Sequence, residues 1–156
     1  MDHTYTYIGR DAPVNDAAAK ATGQLAYAAD LHLPGMLYMK LLLSPVAHGL
    51  VRSLDTSAAL ALPGVAAVLS FQNTPSVKYN RGRVRATDEA PDQETLFTDH
   101  VRFVGDRIAA VVAQTPEIAQ QAVSLLRADI QPLPPVFNLA QALEGAPVPL
   151  HERDDI

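Results

Sequence analysis

Apolar residues along the chain fall into short blocks punctuated by proline and glycine, and each block has its own periodicity. "MLYMKLLL" (Met36–Leu43) is almost wholly apolar and lies between Pro34 and Pro45, which predicts a largely buried strand. "LVRSLD" (Leu50–Asp55) alternates sides and predicts a second. Asp55 or Thr56 can cap a short helix in "TSAALALPGV", which Pro63 and Gly64 end, and "VAAVLSF" from Val65 predicts another buried strand. These three form a strand, helix, strand unit.

The clearest helical signal comes later. "DRIAAVVAQ" (Asp106–Gln114) predicts a buried strand feeding "TPEIAQQAVSLLRA", where Thr115 is the N-cap and Pro116 the first helical residue. Ile118, Ala122, Leu125 and Leu126 recur at helical spacing, so one longer helix is expected near 116–127. Near the start, "DAAAKATG" (Asp16–Gly23) predicts a short helix with an Asp N-cap, followed by strand-like "QLAYAA". Residues 72–94 are poorly periodic and too long for an ordinary connection, which predicts a binding loop or a mobile one. The proline-dense end is expected to be extended apart from a helical patch at Asn138–Leu143. The pattern is that of an α+β fold, mixed strands with a few short helices, and it contains no internal repeat.

A length of 156 residues favours one domain over residues 1–156, burying roughly 70% of its unfolded surface. At 48% hydrophobic and 19% charged, the chain has a globular composition. The net charge of −5 gives no general attraction to nucleic acid or anionic membrane. The absence of cysteine excludes disulfides, thiolate metal sites and iron–sulfur ligation within these residues. With no basic, apolar leader and no apolar run of about twenty residues, a cytoplasmic location is expected. "PLHERDDI" ends with no element being completed, as expected of a piece cut from a longer polypeptide.

Ser44, His48 and Asp55 lie within twelve positions and are the residue types of a catalytic triad. Their contexts point elsewhere. Ser44–Pro45 has the form of an N-cap and first-turn proline, Gly49 would stop that turn, and His48 would meet backbone carbonyls at its end. Asp55 has a capping role of its own. The histidines at 3, 32, 48, 100 and 151 are scattered and none pair at i, i+4, so surface or interdomain positions are expected and metal ligation is not. Arg81, Arg83 and Arg85 alternate at period two and form a possible partner contact. Against this stands a solvated loop balanced by Asp88, Glu89, Asp92 and Glu94. A lone Gly105 supports a turn and not a nucleotide loop. Lys40, inside an apolar strand, does not suit a carrier lysine.

Four stretches occur in a telling order: "DAAAKATGQLAYAAD", "LPGMLYMKLLLSPVAHGLVRSLDTSAALALPGVAAVL", "VRFVGDRIAAVVAQTPEIAQQAV" and "PLPPVF". Through them the chain resembles the N-terminal a/b hammerhead domain of the molybdenum-binding subunit of xanthine dehydrogenases and aldehyde oxidases. It departs from the family pattern at Asp106 and Arg107, where "VGQPVA" is usual, and at Ile130 and Gln131, where a Tyr and a Glu are usual. "SPHAHARI" appears here as "SPVAHGLV". The resemblance implies a structural domain of an oxidoreductase that hydroxylates purines, aldehydes or related heterocycles with water-derived oxygen. It also implies that the molybdenum–pterin cofactor and the catalytic glutamate lie in later domains, with no catalytic, cofactor-binding or metal residue here. Partners would be those remaining domains, with 2Fe–2S centres and in some cases FAD on other segments or subunits. The alternative is a free-standing interaction module that uses Arg81, Arg83 and Arg85.

Overall fold

The blocks between the prolines become strands, and a computed structural model describes them at residues 6, 8–9, 11, 14–80, 93–145 and 148–150. The chain divides into two compact units, Met1–Met36 and Leu37–Ile156. In the second unit the described residues form six strands, β1 (Tyr38–Leu43), β2 (Gly49–Asp55), β3 (Val65–Ser70), β4 (His100–Val101), β5 (Arg107–Ala113) and β6 (Arg127–Pro132). They pair antiparallel in two three-stranded sheets, β1-β5-β3 and β4-β2-β6.

β5 is the centre of the first sheet, and its composition explains why. Ile108, Ala109, Ala110, Val111 and Ala113 are all fully buried, and the alanines let neighbouring elements approach closely. The helix α3 (Pro116–Leu125) packs on β1 and β5 through buried Ala119 and Ala122. From the second sheet, Val51, Leu54 and Val101 join Val68, Ile108, Ala109, Val111, Ala122 and Leu126 in one core.

Between β2 and β3 the short helix α2 (Ser57–Leu60) carries the chain from one sheet to the other, so the predicted strand, helix, strand unit is present. Gly64 ends that connection at φ +88°, and a Cβ there would lie 2.8 Å from Ile118 Cδ1. This position needs glycine for its backbone angle, and a Cβ there would also displace the tip of the Ile118 side chain.

Several expectations are corrected. β1 was expected to be largely buried, but Met39, Lys40, Leu41 and Leu43 are exposed. β3 is half-buried, with Val68 and Ser70 inward. The longer helix stops at Leu125 because Leu126 turns extended (φ −64°, ψ 138°) and Arg127 opens β6. That strand replaces the last turn of the expected helix and part of the expected irregular end. The patch at 138–143 appears as α4 (Leu139–Glu144), with Asn138 Oδ1 accepting from the Gln141 backbone N–H at 2.9 Å.

In the first unit, α1 (Ala17–Ala21) forms, but Asp16 does not cap it and instead pairs with Lys20 at 2.7 Å. The strand expected at 24–29 is absent. Gly23 (φ +70°) turns the chain back, and the N–H groups of Gln24 and Leu25 both donate to the Ala19 carbonyl. A 3₁₀ turn follows at Ala28–Asp30. No described helix in either unit is long and apolar enough to cross a membrane.

Candidate functional site

The three residues of the apparent triad are placed in separate local networks. Ser44 Oγ accepts from the Val46 backbone N–H at 3.1 Å and lies 2.9 Å from the Val46 carbonyl, to which its hydroxyl donates. This is the side-chain-to-backbone bonding expected at a turn, although residues 45–48 form bends and no helical turn. Asp55 Oδ1 accepts from the Ser57 backbone N–H at 2.9 Å and so caps the entrance to α2. The Ser57 hydroxyl, then the Ser57 backbone N–H, hold the Asp55 carboxyl below its ordinary range; Arg127 adds to this and lost hydration opposes it.

His48 meets a backbone carbonyl as its context suggests, but that of Pro134 and not one of its own turn. It is 2% exposed, where a surface or interdomain histidine was expected. Its Nδ1 lies 2.9 Å from the Pro134 carbonyl and its Nε2 lies 2.9 Å from His100 Nε2, with the two rings stacked at 5.1 Å. A carbonyl only accepts, so His48 Nδ1 carries the hydrogen. In the neutral ring Nε2 is then an acceptor, and His100 Nε2–H donates to it. Neither nitrogen is left to take a proton from Ser44, and the arrangement cannot run acyl transfer.

What it does instead is tie together three stretches far apart in sequence. The Ser44 backbone N–H donates to the Asp106 carbonyl and the Gly105 N–H to the Ser44 carbonyl, both at 2.8 Å. Gly105, at φ +91°, is the turn residue the sequence suggested between β4 and β5. The His48 carbonyl accepts from Leu133 N–H at 3.0 Å, so the histidine holds the end of β6 through both its ring and its backbone.

Asp106 and Arg107, the two departures from the usual family pattern, organise the next layer. Asp106 is 8% exposed, and its carboxylate accepts from the backbone N–H of Arg102 (3.1 Å) and of Arg107 (2.9 Å). Arg107 Nη2 donates to Tyr79 Oη at 2.8 Å and to the Thr95 carbonyl at 3.3 Å, and lies 3.6 Å from Glu94. Arg102 Nε donates to the Leu150 carbonyl at 2.6 Å and Nη1 to the His100 carbonyl at 2.9 Å.

Two open cavities flank Arg102. One, of about 280 Å³, is bounded by His48, Phe103, Pro135 and Phe137, and the other, of about 260 Å³, by Gln93, Thr98, Asp106 and Arg107. Among the described residues no three His, Asp or Glu side chains converge as a metal site needs, and the facing histidines are already engaged.

Tyr79 and Glu94 form an isolated antiparallel bridge through a pair of backbone bonds at 2.8 and 3.0 Å. Arg81, Arg83 and Arg85, the candidate partner contact, lie outside the described residues. Sequence reasoning missed His100, Arg102 and Tyr79, because each acquires its role from a partner at least 28 positions away or at a terminus of another element.

Comparison with known proteins decides what kind of domain this is. Residues 22–134 match the family model described as "Aldehyde oxidase and xanthine dehydrogenase, a/b hammerhead domain". The chain belongs to this family. A probable hypoxanthine oxidase of Escherichia coli O157:H7 is 39% identical over 142 residues, covering 90% of this chain and 15% of that protein. The nicotinate dehydrogenase large molybdopterin subunit of Eubacterium barkeri is 34% identical over 151 residues, covering 97% of this chain and 34% of that protein. Among solved structures, the aldehyde oxidoreductase of Desulfovibrio gigas superposes with a TM-score of 0.78 at 27% identity, over 90% of this chain and 16% of that one. The hammerhead chain thus spans from about a seventh to a third of the length of these proteins.

Proposed function

We propose that residues 1–156 form a single structural hammerhead domain in a larger molybdenum-cofactor oxidoreductase, one that hydroxylates or dehydrogenates a purine, an aldehyde or a related heterocycle. The carrying observation is family membership over 22–134 combined with a polar centre, His48–His100–Pro134, whose nitrogens are used in holding segments together. In this reading the pterin cofactor is held by domains that this chain does not supply, and those domains provide the redox chemistry. Iron–sulfur centres, and in some members of the family FAD, sit on further domains or subunits of the same assembly. The working location is the cytoplasm, which fractionation of the source cells would test.

The division of labour has a direct test. The 156-residue chain, purified from molybdenum-fed cells, is expected to contain no stoichiometric molybdenum and to turn over neither xanthine nor an aldehyde. Metal analysis finding one molybdenum per chain, or turnover by the chain alone, would overturn the assignment.

A further inference from the structure

The odd-numbered face of β1 is wholly apolar, as a buried face would be, yet among the described residues it is the other face that is covered. The covered face carries Leu42, which packs against the core cluster that includes Val68, Ala109 and Val111. Lys40, on the same side, lies in a groove formed with Pro116, Gln120 and Ser124 at the flank of α3. The opposite face carries the odd-numbered residues. Leu37, Met39, Leu41 and Leu43 are 48%, 54%, 41% and 46% exposed.

The strand register extends this surface across the sheet. Leu41 is opposite Ala110, which is opposite Leu69; Met39 is opposite Val112, which is opposite Ala67. Six side chains in two cross-strand rows are all apolar, and none carries a charge or a hydrogen-bonding group. Ala110 is fully buried, and Leu41 and Leu69 flank it on the neighbouring strands.

From this we infer that the Met39/Leu41–Val112/Ala110–Ala67/Leu69 face is the seat of an apolar surface from the molybdenum-binding domains that complete the enzyme. The inference rests on the proposed function and names the contact surface that reading requires. Two observations select this occupant. An uncharged, apolar sheet face suits a permanent interface, which resembles a domain core cut in two, and offers no charge to steer a transient partner. In the E. coli and E. barkeri relatives, the matched segment occupies only 15% and 34% of the protein, so each provides a far longer polypeptide that can cover it.

The test uses the polypeptide that carries this chain, produced in its source cells with a photo-crosslinking side chain at position 41. Irradiation is expected to join position 41 to an apolar segment of molybdenum-binding domains, in the same polypeptide or a separate one, as mapped by peptide mass spectrometry. Leu41→Lys, which would bury a charge, is expected to lower the yield of molybdenum-bearing assembly by about tenfold or more. Leu41→Val is expected to keep it within about twofold. Thermal unfolding of the Leu41→Lys chain separates lost docking from lost folding, and the crosslink reports the contact even where that variant fails to fold. Crosslinks solely between two copies, or none, in a molybdenum-bearing preparation would sink the docking inference and leave the functional reading standing. If no molybdenum-binding domains accompany the chain at all, both fall.

Discussion

At the scale of single residues, polar side chains that look catalytic are doing backbone work. Ser44 bonds the turn it sits in, Asp55 caps α2, and His48 secures β6 through Pro134. Asp55 also gives a pH prediction. A carboxyl whose folded pKa is lowered contributes stability that is present above its ordinary value of 3.8 and is lost as pH falls through the folded value. Glu117, lowered by its own backbone N–H and then by Thr115, acts with the same sign in the first turn of α3. Urea midpoints measured across the acid range should therefore fall less steeply in Asp55→Asn than in the parent chain. An unchanged slope would show that the Ser57 contacts add nothing to folding. The capping role of Asp55 is legible in the sequence because cap and helix are adjacent. The His48–His100 pair is not legible, because its partners are 52 positions apart and meet only when β2 pairs with β4.

At the scale of elements, local chemistry fixes starts better than ends. Thr115 Oγ1 accepts from the Ile118 N–H at 3.2 Å, with Pro116 in the first turn, as the sequence indicates for α3. Thr115→Ala should destabilise the chain by about 1 kcal/mol in urea denaturation, with the same m-value. The end of α3 was misplaced because "RADIQP" has no strong strand composition and becomes β6 only by pairing with β2, Asp55 opposite Arg127 and Gly49 opposite Pro132. β4 has just two residues, too few for any periodicity to show. In β1 the composition reported the burial its residues favour, while the described residues cover one face.

At the scale of the whole molecule, the two units differ in what they bury. No described residue before position 37 is buried, whereas β5 in the second unit is almost wholly so. Amide exchange is expected to be fast across 17–30 and slowest at Ile108–Val111, since protection follows burial of the hydrogen-bonded backbone. Uniform protection across both would contradict that difference. By itself, the sequence determined the α+β class, the strand, helix, strand unit, the α3 cap and the family resemblance, all of which depend on composition and order along the chain. Tertiary structure decided the strand partners, the end of α3, the burial of His48 and, among the described residues, the exposed face of β1. Those depend on which segments meet across long loops, and no local pattern encodes a partner on a distant strand.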